Sequence, residues 1–187
     1  MSYTSPKVMH WITELLKWLY NDDNTARLSE YECEIEEIAQ APVNVYLQKA
    51  VYDMGTNTPH IVFNYLDYLL WKDEQKKYSD FGFEFRNSVE HWYPQQPSKD
   101  TFDMWSHDGG MDNFGNLCII QRNVNSKFSN LSPEAKKTTY GKSIAKGSLK
   151  LRKMADLTDT NQSWKDSACQ KHEDEMIGKL KDACNLL

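Results

Sequence analysis

Apolar residues recur at helical spacing along roughly the first 75 residues, which predicts that the chain begins with helices. In SPKVMHWITELLKWLYN, Ser5 can cap a first helix and Pro6 suits its first turn. The apolar face of this helix comprises Val8, Trp11, Ile12, Leu15, Leu16 and Leu19. A second helix is predicted from Ser29, which forms a capping box with Glu32, to about Ile38.

Two more helices are predicted before the pattern changes. The segment PVNVYLQKAVYDMG is expected to be helical up to Gly55, because glycine favours helix ends. The segment TPHIVFNYLDYLLWKDE is expected to form the next helix, with Thr58 as its cap and Pro59 in its first turn.

Aromatic and β-branched residues with partial alternation then predict a strand over about residues 83–93. The segment SKDTFDMWSHDGGMDNFGN is rich in turn residues and predicts a long loop. His107 and Asp108 in this loop could supply a second set of ligands, but we favour the interpretation that they belong to a solvated loop. The short apolar run NLCIIQR predicts a second strand.

The rest of the chain is predicted to be helical. LSPEAKKTTYG has Ser132 as a cap and Gly141 as a stop, and SIAKGSLKLRKMADL follows it. The segment NQSWKDSACQKHEDEMIGKLKDACNLL is predicted to form a long closing helix. The residues of this helix expected to face the core are Trp164, Ala168, Met176, Ile177, Leu180 and Ala183. This order predicts an α+β fold, predominantly helical, with a small hairpin cradled by helices. We expect a helical connector over residues 1–77 and a second unit over residues 78–187.

Charge is unevenly distributed along the chain, whose net charge is −5. Residues 116–155 contain nine basic residues and one acidic residue, Glu134, which gives this stretch a net charge of +8. Such a stretch fits a surface that meets a polyanion, and it equally fits a lysine-rich helix face in water. Charge alone does not decide between the two.

Hydropathy and cysteine usage indicate a protein of the cytoplasm. No apolar run approaches the roughly 20 residues of a membrane span, and we find no signal peptide in the N-terminal residues. The four cysteines are scattered and form no CxxC pair, so we expect free, mostly buried thiols rather than a zinc site: Cys33, Cys118, Cys169 and Cys184.

Glu90 and His91 lie side by side near the end of the predicted first strand, shortly before Pro94. Histidine titrates near neutral pH, so His91 can act as a general base in phosphodiester hydrolysis. Neighbouring residues of a regular strand point to opposite faces, so the strand must end here for both to share a site, and Pro94 can mark that end. Taken alone, the pair also fits a structural histidine in an aromatic strand.

Asparagine is unusually frequent around the second predicted strand, at Asn113, Asn116, Asn123, Asn125 and Asn130. Turn and cap chemistry accounts for asparagine in general. It accounts less well for Asn125, which lies just beyond the strand and ahead of a helix. The amide oxygen of Asn125 could face the same cation as Glu90, and an oxygen-only ligand set suits Mg²⁺ or Mn²⁺.

Two short sequence elements follow one another along the chain, one around His91 and one around the second predicted strand. EHWYPQ supplies Glu90, His91, Pro94 and Gln95, and FGNLCIIQRNVNSKFSN supplies Gly115, Asn116, Leu117, Asn125, Ser126, Ser129 and Asn130. Together they resemble the His-Me finger, or HNH, nuclease motif. More narrowly, they resemble the C-terminal nuclease domain of GmrSD-type modification-dependent restriction systems, in which a tryptophan and a long helix, here from Trp164, also follow.

The resemblance implies an HNH-like ββα-metal core within residues 78–187, with C-terminal helices after it. His91 would be the general base, and Glu90 and Asn125 would bind Mg²⁺ or Mn²⁺. Asn116 would brace the hairpin or help to place His91 and the phosphate. The residues that would hold the DNA are Arg122, Lys127, Asn130, Lys136 and Lys137.

The resemblance also implies partners. We expect a divalent-metal-dependent DNA endonuclease that acts on foreign, possibly modified DNA in phage defence. An N-terminal nucleotide-hydrolysing domain or subunit is expected outside this chain, because the sequence has no GxxxxGK[ST] loop. A homodimer would allow double-strand cuts. Two rival interpretations are a catalytically inactive DNA- or protein-binding module that retains the HNH scaffold, and an all-helical interaction domain with an incidental histidine.

Overall fold

The computed structural model describes residues 10–21, 27–49, 52, 54–97, 110–160, 164 and 166–186. The helices are α1 (His10–Asn21), α2 (Leu28–Gln48), α3 (His60–Asp73), α4 (Arg122–Phe128), α5 (Pro133–Ala145), α6 (Leu149–Thr160) and α7 (Asp166–Ala183). The strands β1 (Ser88–His91) and β2 (Leu117–Ile120) form one sheet in the described part of the chain. This mostly helical arrangement agrees with the predicted α+β fold.

Helix α2 replaces two of the predicted helices, so the boundary expected after Ile38 is wrong. Pro42 lies inside α2, although proline usually interrupts a helix. The buried side chains of α2 lie on both sides of this proline and join one core: Ala39, Val43, Tyr46 and Leu47. The cap position is Arg27, whose backbone N–H donates to Glu30 at 2.7 Å, so Ser29 is not the cap. The predicted cap Ser5 lies outside the described residues.

The start of α3 also differs from the prediction at its first residues. Pro59 occupies the cap position of α3. The hydroxyl of Thr58 instead donates to the carbonyl of Gly55 at 2.9 Å, which closes a 3-10 turn over Gly55–Asn57. Gly55 belongs to this turn, and the preceding helix, α2, ends at Gln48.

The two strands pair in antiparallel fashion, with Ser88 opposite Ile120 and His91 opposite Leu117. The strand predicted over residues 83–93 is therefore much shorter. Strand β2 offers only four residues for pairing, because the chain turns into α4 directly after it. Ahead of β1, Arg86 holds the chain by donating to the carbonyls of Gly82 at 3.1 Å and Lys146 at 3.2 Å.

Helix α4 was not predicted, because its asparagines are weak helix formers. Tertiary contacts compensate, since Phe128 is buried and Asn125 bonds to β1. Helix α5 has the predicted cap, Ser132, which accepts from Ala135 N at 3.2 Å. Two helical segments of α5 meet at a kink at Tyr140, next to the predicted stop at Gly141, and the second segment extends α5 to Ala145.

Buried apolar residues cover both faces of the hairpin. On one face Val89, Leu117 and Ile119 join a cluster with α2, α3 and α7. On the other face Cys118 and Ile120 join a cluster with α4, α5 and α6. The first cluster includes residues from before and after residue 77, so the two expected units share one core. The division into residues 1–77 and 78–187 stays a prediction.

The four cysteines are free, as predicted, with Cys33 exposed and the other three buried. None of the described helices is both long and apolar enough to cross a membrane.

Candidate active site

His91 is the last residue of β1, and its ring belongs to the hairpin face that carries Val89. Its Nε2 lies 2.7 Å from Oδ1 of Asp112, which ends a 3-10 turn over Gly110–Asp112. The His91 side chain is largely buried, whereas the side chain of Asp112 is 44% exposed. The hydrogen bond therefore joins the end of the strand to the turn that precedes β2.

Two further residues lie close to the Asp112 carboxylate. Gln95 Nε2 donates to the same Oδ1 at 3.2 Å. Gly55 lies close to the same carboxylate with a φ of +54°, and a Cβ on this residue would lie 2.8 Å from Oδ1. Glycine is favoured here for both reasons, since a side chain would be strained at this φ and would crowd the carboxylate. Asp112 is thus hydrogen-bonded by one segment, residues 91–95, and packed against the turn at Gly55.

Glu90 points to the opposite face of the hairpin, where it meets Lys136 of α5. The ammonium of Lys136 donates to Glu90 Oε1 at 2.8 Å and to the carbonyls of His91 at 2.6 Å and Trp92 at 2.9 Å. Burial raises the pKa of the Glu90 carboxyl, and the charge of Lys136 offsets only part of this effect. Burial lowers the pKa of the Lys136 ammonium for the same reason. The pair nonetheless satisfies both charges and fixes the backbone at the strand end.

Asn116 braces the loops around the strand ends. Its Oδ1 accepts from Tyr93 N at 2.8 Å and from the Trp164 indole at 3.1 Å. Its Nδ2 donates to the carbonyls of Tyr93 at 3.0 Å and Met111 at 2.9 Å. The residue is 0% exposed, so its amide has neither surface nor free hydrogen-bonding capacity for a phosphate. Of the two roles predicted for Asn116, the structure favours bracing the hairpin.

Asn125 ties α4 to the hairpin. Its Nδ2 donates to the hydroxyl of Ser88 at 2.6 Å and makes a longer contact to the carbonyl of Val89 at 3.5 Å. Ser88 and Glu90 are two residues apart on β1, so their side chains point to the same face. Asn125 therefore approaches the face that carries Glu90. Within the described residues, its amide oxygen accepts no hydrogen bond.

The residues predicted for catalysis and for metal binding therefore belong to two arrangements. His91 is bonded to Asp112 on one face of β1, and Glu90 is bonded to Lys136 on the other. Among the described residues, no hydrogen bond connects His91, Glu90 and Asn125. The cause is the regular geometry of β1 up to His91, which sends neighbouring side chains to opposite faces.

The residues predicted to bind DNA differ in exposure. Arg122, Lys127 and Asn130 are exposed on and after α4. Lys137 is half-buried and donates to the carbonyl of Ala155 at 2.7 Å. Lys136 is 0% exposed, so its prediction as a DNA contact is wrong, because its ammonium is used inside the protein.

The sequence model of the family GmrSD restriction endonucleases, C-terminal domain, matches residues 43–179. The chain belongs to this family. The matched range of this GmrSD C-terminal domain includes every predicted site residue, and it leaves out α1, the first part of α2 and the end of α7. No curated protein and no solved structure matches the chain.

The cation implied by the resemblance fits the predicted ligands of this GmrSD domain only in part. Glu90 is engaged by the Lys136 ammonium, and a divalent cation at the same oxygen would meet that positive charge at close range. Asn125 retains an amide oxygen that the described residues leave unused. No group of three His, Cys, Asp or Glu side chains among the described residues is arranged to hold a metal ion.

Two interactions of this site escaped prediction from the sequence. Asp112 lies 21 positions after His91 in a turn-rich segment, and nothing in its spacing marks it. The bond between Lys136 and Glu90 spans 46 positions, and in the sequence Lys136 looks like any surface lysine. His107 and Asp108, interpreted as part of a solvated loop, lie outside the described residues.

Proposed function

We propose that this GmrSD C-terminal domain is a DNA endonuclease of the HNH type, in which His91 is the general base for hydrolysis of the phosphodiester bond. The observation that supports it most strongly is the bond from His91 Nε2 to Asp112, which fixes an imidazole at the end of β1. The order of β1, β2 and α4 supports the proposed ββα core.

The bond to Asp112 determines which nitrogen of His91 is available. An ionised carboxylate only accepts hydrogen bonds, so Nε2 carries the proton and Nδ1 of the neutral ring carries the lone pair. Nδ1 takes a proton from water as the water oxygen attacks phosphorus and the bond to the leaving oxygen breaks, and the leaving oxygen takes a proton from solvent. A general base placed in this way accelerates a reaction by about 10²- to 10⁴-fold.

DNA would be held beside α4. Arg122 and Lys127 are exposed cations on this helix, and Asn130 follows it. Contacts from such residues to phosphate are independent of sequence, so they would position the duplex without selecting a site. Lys137 stays in the proposal because it is only half-buried, although its ammonium donates to the carbonyl of Ala155.

The wider role that we propose is cleavage of foreign, modified DNA in the bacterial cytoplasm. A nucleotide-hydrolysing domain or subunit would work with this domain, and a homodimer would supply two active centres for a double-strand cut. Mg²⁺ or Mn²⁺ belongs to the proposal through the family. Because Glu90 is engaged by Lys136, no step of the reaction is assigned to the cation.

A second candidate function is a DNA- or protein-binding module that has kept the scaffold without the activity. The observation that favours it is the Lys136 ammonium on Glu90, which occupies the carboxylate expected to bind metal. In this case DNA would bind without being cut.

Nicking of supercoiled plasmid DNA tests the proposal. We expect the wild-type protein with Mg²⁺ or Mn²⁺ to nick the plasmid, and His91→Ala to lose this activity while it keeps the wild-type circular dichroism spectrum. His10→Ala, a change at an exposed histidine of α1, is the matched control and should cut like the wild type. Equal nicking by His91→Ala would refute the assignment of the base.

A further inference from the structure

We propose that Asp112 is a positioning residue, which orients the His91 ring and fixes its proton on Nε2. This inference rests on the proposed function for its catalytic meaning, although the proton position is a property of the folded protein alone. The observation behind it is the 2.7 Å bond between His91 Nε2 and Asp112 Oδ1. Among the described residues, Asp112 is the group that hydrogen-bonds the His91 ring.

The chemistry of the bond favours this role over a merely structural one. An ionised aspartate presents only acceptors, and a neutral imidazole has one donor and one acceptor nitrogen. The bond therefore selects one of two tautomers and leaves Nδ1 free to accept a proton. An asparagine in the same place can accept or donate, so it would orient the ring without selecting the tautomer. Elsewhere, carboxylates that fix a histidine tautomer are major determinants of rate.

The fold holds Asp112 as well as His91, which is what a positioning residue needs. Gln95 donates to the same carboxylate oxygen at 3.2 Å. Since Gln95 lies four residues after His91, the two hydrogen-bond partners of Asp112 belong to one segment. Gly55 leaves room for the carboxylate, since a Cβ there would lie 2.8 Å from Oδ1. The 3-10 turn at Gly55–Asn57 itself is closed by Thr58, which is buried.

The direct test is ¹⁵N NMR of the histidine rings in the full chain, with the His91 signals assigned by their loss in His91→Ala. We expect the wild-type ring at neutral pH to be protonated on Nε2 in its neutral form. In Asp112→Asn the neutral ring should become a mixture of both tautomers. The inference would be overturned if the neutral wild-type ring carried its proton on Nδ1, or if the tautomer were unchanged in Asp112→Asn. Either result would count whether or not the protein cleaves DNA.

Kinetics give the second readout. With saturating DNA, we expect Asp112→Asn to lower the rate of cleavage about 10- to 100-fold while the apparent affinity for DNA stays within a factor of about two. Asp182→Asn, at an exposed position of α7, is the matched control and should cleave like the wild type. A wild-type rate in Asp112→Asn, in a protein that needs His91, would defeat the inference and leave the proposed function standing.

Discussion

At the scale of single residues, the burial of Lys136 is the main departure from what the sequence indicates. Lysine is rarely buried unless it is paired, and here the pair is Glu90 with two backbone carbonyls. The residue types at the site could be predicted, since His91 does lie at a strand end. Their partners could not, because Asp112 and Lys136 are reached only through tertiary folding.

Replacement of Lys136 by methionine should strongly destabilise the protein. The change leaves the Glu90 carboxylate buried without its counter-charge, and loss of one partner of a buried ion pair typically costs about 3–5 kcal/mol. Urea unfolding would measure the free energy of unfolding. Lys142→Met, on an exposed part of the same helix, should change it by less than about 0.5 kcal/mol.

The double variant Glu90→Gln with Lys136→Met separates the charge effect from a packing effect. It removes both charges, so we expect it to recover part of the lost stability. If the double variant were as unstable as Lys136→Met, the uncompensated carboxylate would not be the cause.

At the scale of elements, periodicity predicted most of the helices but not their limits. Helix α2 continues through Pro42 because its buried face is continuous on both sides, and helix α4 forms despite its asparagines because it packs on the hairpin. The hairpin strands were located correctly, but β1 is shorter than expected because β2 offers few partners. Local propensity was overridden wherever tertiary contacts decided the boundary.

Gly115 lies where the turn before β2 meets α7, and alanine there should destabilise the fold. A Cβ on Gly115 would lie 2.3 Å from the Cys169 carbonyl oxygen and 2.9 Å from Glu173 Cβ, and a helix backbone cannot move away cheaply. We expect a loss of about 1–3 kcal/mol. Gly178→Ala in α7, where a Cβ has nothing within 4 Å, should instead stabilise by about 0.5–1 kcal/mol. Chemical denaturation of both variants measures the change in the free energy of unfolding. Equal changes in Gly115→Ala and Gly178→Ala would contradict the close approach of Gly115 to α7.

At the scale of the whole molecule, neighbours in the sequence do not share one environment: some basic residues are buried or paired, and the core joins distant segments. Of the basic residues between 116 and 155, Lys136 and Lys150 are buried, and Arg152 and Lys153 form ion pairs. The positive stretch is thus only in part a surface for a polyanion. The core joins residues that are far apart in the chain, as in the stacking of Phe63 on Phe114 at 5.2 Å. Composition predicted a packed core but could not show which polar groups would enter it.

Asp67 makes the stability of the whole fold dependent on pH. Its carboxylate accepts from the Lys150 backbone N–H at 3.1 Å, at the start of α6. Burial raises the pKa of Asp67 from 3.8 to about 6, although the nearby charges of Arg86 and Lys150 oppose this shift. Between these two pH values the folded protein holds a proton that the unfolded chain has released. The stability that this proton gives is present below about pH 4 and is lost as pH rises through about 6.

Asp67→Asn should therefore gain stability relative to the wild type as pH rises from 4 to 7. At about 1.4 kcal/mol per pKa unit, the relative gain is on the order of 3 kcal/mol. Urea unfolding of both proteins at several pH values measures the difference, with Asp182→Asn as a control at an exposed site. A difference that stays constant across this range would show that Asp67 does not titrate in this window.

The measurement that tests the account most directly is the single-turnover rate of cleavage of a labelled DNA duplex by excess protein. With Mg²⁺ or Mn²⁺ present, we predict that His91→Ala lowers this rate by at least about 100-fold relative to the wild type and to His10→Ala, with unchanged DNA binding. Cleavage by His91→Ala at the wild-type rate would contradict the account, as would a folded wild-type protein that binds the duplex and leaves it intact.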